Sequence, residues 1–147
     1  MKPQLVKAAG IVSLVQGVAH GAMILLAKPN HGPSESMVVE TMKHYVFNFS
    51  GAHRSYWDLY FGYALLAAIT CFLEAALLWL MAPLASTDPA RLRLLLIAVL
   101  LSVIAHACLV LRFFFYLPLA TDFVVIVLLF LSILRSKSAG QMRPADG

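Results

Sequence analysis

Four long apolar segments dominate the pattern of this chain. They cover residues 8–27, 56–85, 90–115 and 119–134, with polar residues concentrated between them. A helix that crosses a bilayer needs about 20 predominantly apolar residues. The fourth segment reaches this length only if Tyr116 and Leu117 contribute. The pattern therefore predicts four transmembrane helices within a single domain, residues 1–134.

Short polar breaks separate the last three segments. Ser86-Thr87-Asp88-Pro89 supplies capping residues and a proline suited to a first helical turn, and Pro118 marks the next turn. Short connections favour antiparallel neighbours. The predicted fold class is an all-α membrane protein, an up-and-down bundle of four transmembrane helices, followed by a disordered cytoplasmic tail at residues 135–147.

The first apolar segment could instead be a secretory signal, because it follows a basic start and contains small residues. However, it is long and carries Gln16 and His20, which a removable signal would not normally contain. A retained helix is the favoured interpretation.

One long loop, residues 28–54, connects the first two spans. Its stretch from Met37 to Phe47 can place apolar side chains on one helical face: Met37, Val38, Met42, Tyr45 and Val46. This predicts a short amphipathic helix. It would either anchor the loop to the membrane surface or act as a lid over a site.

Composition supports the membrane interpretation. The chain has 147 residues, of which 61% are hydrophobic and 12% charged, against about 45–50% and about 25% in soluble domains. The net charge of +4 comes from Lys and Arg scattered at helix ends, without the basic stripe of a nucleic-acid-binding protein. Nucleic acid is therefore not expected as a partner.

The distribution of basic residues predicts the orientation. Cytoplasmic loops carry an excess of Lys and Arg. With both termini cytoplasmic, that side holds Lys2, Lys7, Arg91, Arg93, Arg135, Lys137 and Arg143, and the other side Lys28, Lys43, Arg54 and Arg112. This arrangement places the loop at residues 28–54 outside.

Ionisable residues within the spans are the main candidates for function, since they are costly in hydrocarbon and need partners or a wet cavity. Counting about 1.5 Å per residue puts His20 and His106 at similar depth in the outer half. Asp58, Asp122 and Arg112 come slightly further out. We expect these residues to form one outward-facing group, with these further members: Gln16, His53, Arg54, Tyr56, Trp57 and Tyr60.

Structural roles could also explain several of these residues. Asp58, Asp122 and Arg112 can pair or cap helix ends, and His20 and His106 can be satisfied between helices. Glu74 falls in the other half of the second span. It is expected to pair with Lys7, Arg91 or Arg93 and is not part of the predicted site.

Three kinds of chemistry fit these residue types. Acid–base work on a lipophilic substrate would use His20, Asp58, His106 and Asp122. Binding without turnover would use the other polar and aromatic members, which are Gln16, His53, Arg54, Tyr56, Trp57, Tyr60 and Arg112. Metal between the histidines is less favoured, because no HxxH, ExxH or HExxH spacing occurs on one helix. A bis-histidine haem is also less favoured, because it needs small residues around the ring, which the sequence does not establish. No cofactor is predicted.

Certain phrases in the chain resemble a known family. They are Ala19-His20-Gly21, the loop phrase Tyr45 to Gly51, and above all the run HRSYWDLYFGY from His53 to Tyr63. The chain resembles a family of small uncharacterised bacterial four-helix inner-membrane proteins that share an RSYWD(F/L)Y motif entering helix two. The resemblance covers residues 5–134, although Gln16 and Ala19 stand where His and Gly are expected.

This resemblance implies a bacterial inner membrane and singles out His20, Arg54, Tyr56, Trp57, Asp58 and Tyr60. It supplies no activity. The expected function is binding of a small lipophilic ligand in a polar-lined pocket facing the periplasm. The alternatives are an acid–base membrane enzyme and an accessory subunit, and the expected partners are the lipid bilayer and a second copy or larger membrane protein.

Overall fold

The computed structural model of this chain describes residues 2–26 and 28–140, with residues 135–140 described by their backbone alone. Its helices and strands are α1 Pro3–Leu26, α2 Pro33–His44, β1 Val46–Phe49, β2 Ala52–Ser55, α3 Tyr56–Met81, α4 Leu84–Thr87, α5 Pro89–Phe113 and α6 Tyr116–Gly140. The described chain is therefore mostly helical, as predicted.

Four helical segments are long and apolar enough to cross a membrane. They are Pro3–Leu26, Tyr56–Thr87, Pro89–Phe113 and Tyr116–Leu134, and their buried share is only 17 to 28%. Most of the residues in these helices are thus not buried by the rest of the described chain. A soluble monomer rarely exposes large contiguous apolar patches. The four predicted spans are confirmed as helices suited to a bilayer.

Several predicted boundaries differ from the structure for local reasons. Helix α1 begins at Pro3, because a proline is tolerated in the first turn. Helix α3 ends at Met81, since Pro83 follows, and the predicted residues up to 85 lie partly in the short α4. Helix α5 begins at Pro89 because the Asp88 carboxylate accepts a hydrogen bond from the Arg91 amide, and it ends at Phe113.

The fourth helix is longer at both ends than predicted, whereas its apolar span still ends at Leu134. Helix α6 begins at Tyr116, so Pro118 lies within its first turn and does not separate two helices. Its helical backbone continues to Gly140, and disorder of the tail at residues 135–147 stays a prediction. The rest of that predicted tail, residues 141–147, lies outside the described residues.

The chain divides into two compact units. The first, here called the core unit, comprises Met1–Gln16 and Cys71–Gly147, and the second, the hairpin unit, comprises Gly17–Thr70. In the core unit, segments of α1, α3, α5 and α6 and the short α4 share one apolar core, consistent with a helical bundle. Its fully buried members include Val6 from α1, Leu78 from α3, Leu92 from α5 and Leu129 from α6.

A close approach between α1 and α3 depends on a glycine in the core unit. A Cβ atom built at Gly10 would lie 2.5 Å from Trp79 Cδ1 and 3.2 Å from the Ala75 carbonyl oxygen. Both distances are shorter than ordinary van der Waals contact. Only glycine therefore fits this crossing without a shift of the neighbouring helix.

The hairpin unit contains an antiparallel β-hairpin that the sequence did not predict. Strands β1 and β2 pair from Val46↔Ser55 to Phe49↔Ala52. Ser50 and Gly51 form the turn with φ angles of 52° and 90°. Two positive φ angles are typical of the type I′ turn, which matches the twist of paired strands. The predicted all-α class is therefore correct for the spans and incomplete for the loop.

The loop also contains a helix, shifted from its predicted position. Helix α2 runs from Pro33 to His44, so Tyr45 and Val46 lie outside it, and Val46 begins β1. The amides of Asn30 and His31 donate to the Glu35 carboxylate at 2.6 and 2.7 Å. The His31 hydrogen bonds hold the pKa of Glu35 below its usual value. None of the residues of α2 is buried, and its amphipathic role stays a prediction.

Candidate functional site

His106 and Asp122 meet in the core unit. The His106 Nδ1 atom on α5 lies 2.8 Å from Asp122 Oδ2 on α6. These residues are far enough apart in sequence that only the packing of α5 along α6 brings them together. Of the four residues predicted for acid–base chemistry, these are the two that the core unit joins.

Gln16 is the third member of this contact. Its Nε2 atom on α1 donates to Asp122 Oδ1 at 3.1 Å, so each carboxylate oxygen of Asp122 accepts one hydrogen bond. Asp122 is only 3% exposed. A buried carboxylate with both oxygens hydrogen-bonded is held in one orientation. The contacts between α1, α5 and α6 thus fix the position of the His106 ring.

The exposure of His106 differs from that of its partner. Its side chain is 45% exposed although it is joined to a buried carboxylate. Because the carboxylate accepts a hydrogen bond from Nδ1–H, the neutral imidazole carries its lone pair on Nε2. The geometry therefore presents an oriented hydrogen-bond acceptor and proton acceptor on the surface of a span.

A second polar contact in the core unit was not foreseen from the sequence. Ser13 on α1 is 2% exposed, and its Oγ lies 2.6 Å from Glu74 Oε1 on α3. The predicted partners of Glu74 were Lys7, Arg91 or Arg93. That prediction is wrong, because no salt bridge of Glu74 occurs within the part of the chain that the structure describes.

The helical repeat offers a signal that could have pointed to Ser13. Ser13 and Gln16 are three residues apart, and residues at this spacing are neighbours on one helix face. Once Gln16 is assigned to a polar face, Ser13 belongs to the same face. Helix α1 therefore contributes to both polar contacts of the core unit. The residues of these contacts are here called the polar layer: Ser13, Gln16, Glu74, His106 and Asp122.

His20 has a structural contact in the hairpin unit. Its Nε2 atom lies 3.1 Å from the backbone carbonyl oxygen of Ala64. A Cβ atom built at the next residue, Gly21, would lie 3.8 Å from Ala68 Cβ. This is an ordinary packing distance. His20 thus joins α1 to α3 within this unit, as expected of a histidine satisfied between helices.

Asp58 also has a local structural role. The Ser55 amide donates to Asp58 Oδ2 at 2.8 Å, and the Asp58 amide donates to Ser55 Oγ at 3.1 Å. This reciprocal arrangement is a capping box, in which two otherwise unsatisfied amides at a helix start find acceptors. Asp58 therefore sets where α3 begins.

The residues predicted to bind ligand at the loop form an aromatic cluster in the hairpin unit. Tyr56 stacks on Tyr45 with ring centroids 5.9 Å apart, and it lies 4.8 Å from the Phe47 ring. Trp57 packs against Tyr60 at 5.6 Å. These rings hold the hairpin against the start of α3.

The remaining predicted ligand residues have local contacts: His53, Arg54 and Arg112. His53 pairs with Asn48 across the hairpin, and Arg54 donates from its guanidinium to the His53 carbonyl oxygen at 2.8 Å. In the core unit, the Arg112 guanidinium lies 5.3 Å from the Phe113 ring centroid. Within the core unit, Gln16 is the predicted ligand residue that has a described hydrogen bond to the His106–Asp122 pair.

Metal binding gains no support from the donor groups. Across residues 2–26 and 28–140, no group of three or more His, Cys, Asp or Glu is arranged to hold an ion. The expectation that the protein uses no cofactor stays a prediction.

Comparison with family models, with curated proteins and with solved structures finds no match to this chain. The family resemblance carried by the RSYWDLY motif therefore stays a prediction. The functional argument rests on the geometry of the polar layer.

Proposed function

We propose that this chain is a multi-pass bacterial inner-membrane protein that binds a small lipophilic molecule through its His106–Asp122 pair. The observation that carries the proposal is the contrast between a 3% exposed carboxylate and the 45% exposed imidazole that it orients at 2.8 Å. An imidazole exposed on a span finds few hydrogen-bond partners in hydrocarbon. A ligand with a polar head group supplies one.

The geometry indicates the chemistry of that head group. The Nε2 lone pair of His106 accepts a hydrogen bond from a hydroxyl group. Apolar side chains beside it suit a hydrocarbon tail, because Leu109, one helical turn further along α5, is 56% exposed. We therefore expect a lipophilic alcohol or phenol, bound with its hydroxyl at His106.

The depth of the pair supports a site that opens towards the periplasm. Asp122 lies about 9 Å along the axis of α6 from its first residue, Tyr116. If both termini are cytoplasmic, this end of α6 is periplasmic. The ligand would then enter from the outer leaflet or the periplasm.

Extraction in mild detergent tests the proposal directly. Native mass spectrometry and solvent extraction of the wild-type protein should recover a bound lipophile. His106→Ala should lower its affinity by about twofold to tenfold, since a hydrogen bond between neutral groups contributes about 0.5–1.5 kcal/mol.

The matched control is His44→Ala, because His44 is a solvent-exposed histidine on α2. This variant should retain the lipophile at the wild-type level. Wild-type protein without any bound lipophile, or equal recovery from His106→Ala, would contradict the proposal.

Acid–base catalysis on the same molecule is a second candidate, favoured by the hydrogen bond from His106 Nδ1 to Asp122. A carboxylate that orients a histidine in this way prepares its other nitrogen to accept a proton. If the recovered lipophile is a substrate, wild-type protein should convert it, and His106→Ala should slow the conversion by about 10²-fold to 10⁴-fold. An unchanged molecule after incubation with wild-type protein would leave binding as the function and exclude turnover.

A further inference from the structure

Ser13 faces two acceptors with a single hydroxyl proton. Its Oγ atom lies 2.6 Å from Glu74 Oε1 and 3.2 Å from the Ala9 carbonyl oxygen. A carbonyl oxygen can only accept, whereas a hydroxyl both donates one proton and accepts. If Glu74 were ionised, Ser13 could satisfy only one of these two acceptors fully.

The surroundings of Glu74 provide little compensation for a negative charge. The residue lies about 10 Å from the end of α3 at Met81, inside the span. Among the described residues it has no salt bridge. The titratable groups that interact with it electrostatically are Asp122 on α6, His106 on α5 and Cys71 on its own helix. His106 is already hydrogen-bonded to Asp122, so a carboxylate at position 74 would lack its own counter-ion.

We propose that Glu74 is a neutral carboxylic acid and forms an intramembrane proton-binding site with Ser13, distinct from the His106–Asp122 pair. The Glu74 hydroxyl donates to Ser13 Oγ, and the Ser13 hydroxyl donates to the Ala9 carbonyl oxygen. Every proton then has an acceptor. This arrangement removes the cost of an isolated charge in hydrocarbon.

A neutral acid at this position should react with a hydrophobic carbodiimide such as dicyclohexylcarbodiimide. The acid proton transfers to one carbodiimide nitrogen, and the carboxylate oxygen bonds to the central carbon. The product is an O-acylisourea with no leaving group and no change of oxidation state. Glu74 is only partly buried, so the reagent can approach it from the lipid.

Infrared spectroscopy of the full chain in lipid vesicles tests the protonation state. At neutral pH, the wild-type minus Glu74→Gln difference spectrum should contain the carbonyl band of a protonated carboxylic acid. Glutamine can still donate to Ser13, so this variant keeps the hydrogen-bond chain and should fold. The control is Glu40→Gln, which removes an exposed carboxylate on α2 and should yield only the bands of an ionised group.

Carbodiimide labelling of the wild-type protein provides a measurement that needs no variant. Peptide mapping should place the adduct on Glu74, and labelling should decline as the pH rises and the acid ionises. An infrared difference spectrum with only ionised carboxylate bands at position 74, or a Glu74 peptide that remains unmodified at every pH, would overturn the proposal.

Discussion

Asp122 is the residue on which the hydrogen bonds between α1, α5 and α6 converge. Its two carboxylate oxygens accept from Gln16 and His106, and it is almost fully buried. Removal of such a group leaves its donors without acceptors, and each unsatisfied buried group costs about 1–3 kcal/mol. The residue is therefore important for stability as well as for the orientation of His106.

Substitution of Asp122 with alanine should lower the free energy of unfolding by about 1–3 kcal/mol, mainly through the unpaired Gln16 amide. Thermal unfolding in detergent measures the effect. The control is Thr121→Ala on the same helix, because the Thr121 hydroxyl bonds only locally to the Pro118 carbonyl oxygen at 2.8 Å. Equal melting temperatures for the two variants would contradict a bridging role for Asp122.

His20 differs from Asp122 because its described contact is to the backbone of a neighbouring helix. Its one described hydrogen bond joins it to a backbone carbonyl oxygen of the hairpin unit. Replacement by alanine should cost about 0.5–1.5 kcal/mol of stability and leave the lipophile bound to the remaining folded protein. A loss of lipophile equal to that of His106→Ala would show that His20 belongs to the binding site.

At the scale of the elements, small residues decide how closely helices approach. Gly10 lets α1 approach Trp79 and the backbone of α3 at a distance that a Cβ would not permit. Ala75 on α3 and Ala82, directly after the end of α3, are buried as well. Such close contact between helices is the main source of helix association in a membrane, where apolar burial alone offers little advantage.

Alanine at position 10 should destabilise the protein by about 1–3 kcal/mol, because the added methyl group would crowd the Trp79 indole ring and the Ala75 carbonyl oxygen. Gly62→Ala is the matched control, since a Cβ there meets no atom within 4 Å. That variant should be neutral or slightly stabilising through its better helix propensity. Unfolding temperatures in one detergent compare the two, and a Gly10→Ala protein as stable as Gly62→Ala would refute the close crossing.

The hairpin turn makes a separate prediction about an element. Gly51 has a φ of 90°, and its amide donates a hydrogen bond to Asn48 Oδ1 at 2.8 Å. Gly51→Val should raise amide hydrogen exchange across β1 and β2, because a β-branched residue at positive φ is strained. Ser50→Gly should leave exchange unchanged or lower it, since it relieves the positive φ of Ser50. Similar exchange in both variants would argue against this turn.

At the scale of the whole molecule, the excess of basic residues predicts that both termini are cytoplasmic. Single cysteines report this orientation once Cys71 and Cys108 are replaced by alanine. In intact cells, Glu40→Cys on α2 should react with a membrane-impermeant maleimide, whereas Thr87→Cys on α4 should react only after lysis. The reverse pattern would show an inverted protein and would place the proposed binding site towards the cytoplasm.

Much of the architecture follows from the sequence because the length and apolar character of a span are local properties. Residues 90–115 predicted α5 to within two residues at each end, since Asp88 and Pro89 provide a start signal in the chain itself. The hairpin at Val46–Ser55 could not be predicted in the same way. Its aromatic residues also suit a helix face, and the contacts of Tyr45 with Tyr56 depend on tertiary packing.

By itself, the sequence determined the four apolar helices and the types of polar residue that they carry. Only the tertiary structure decided which of these residues meet, because rotation about each helix axis is set by contacts with neighbouring helices. Packing brought Asp122 to His106 and Gln16, and it assigned Ser13 to Glu74 in place of a basic residue. It gave His20 and Asp58 backbone partners instead. Depth along a helix is encoded locally, whereas the direction in which a side chain points is decided by the other helices.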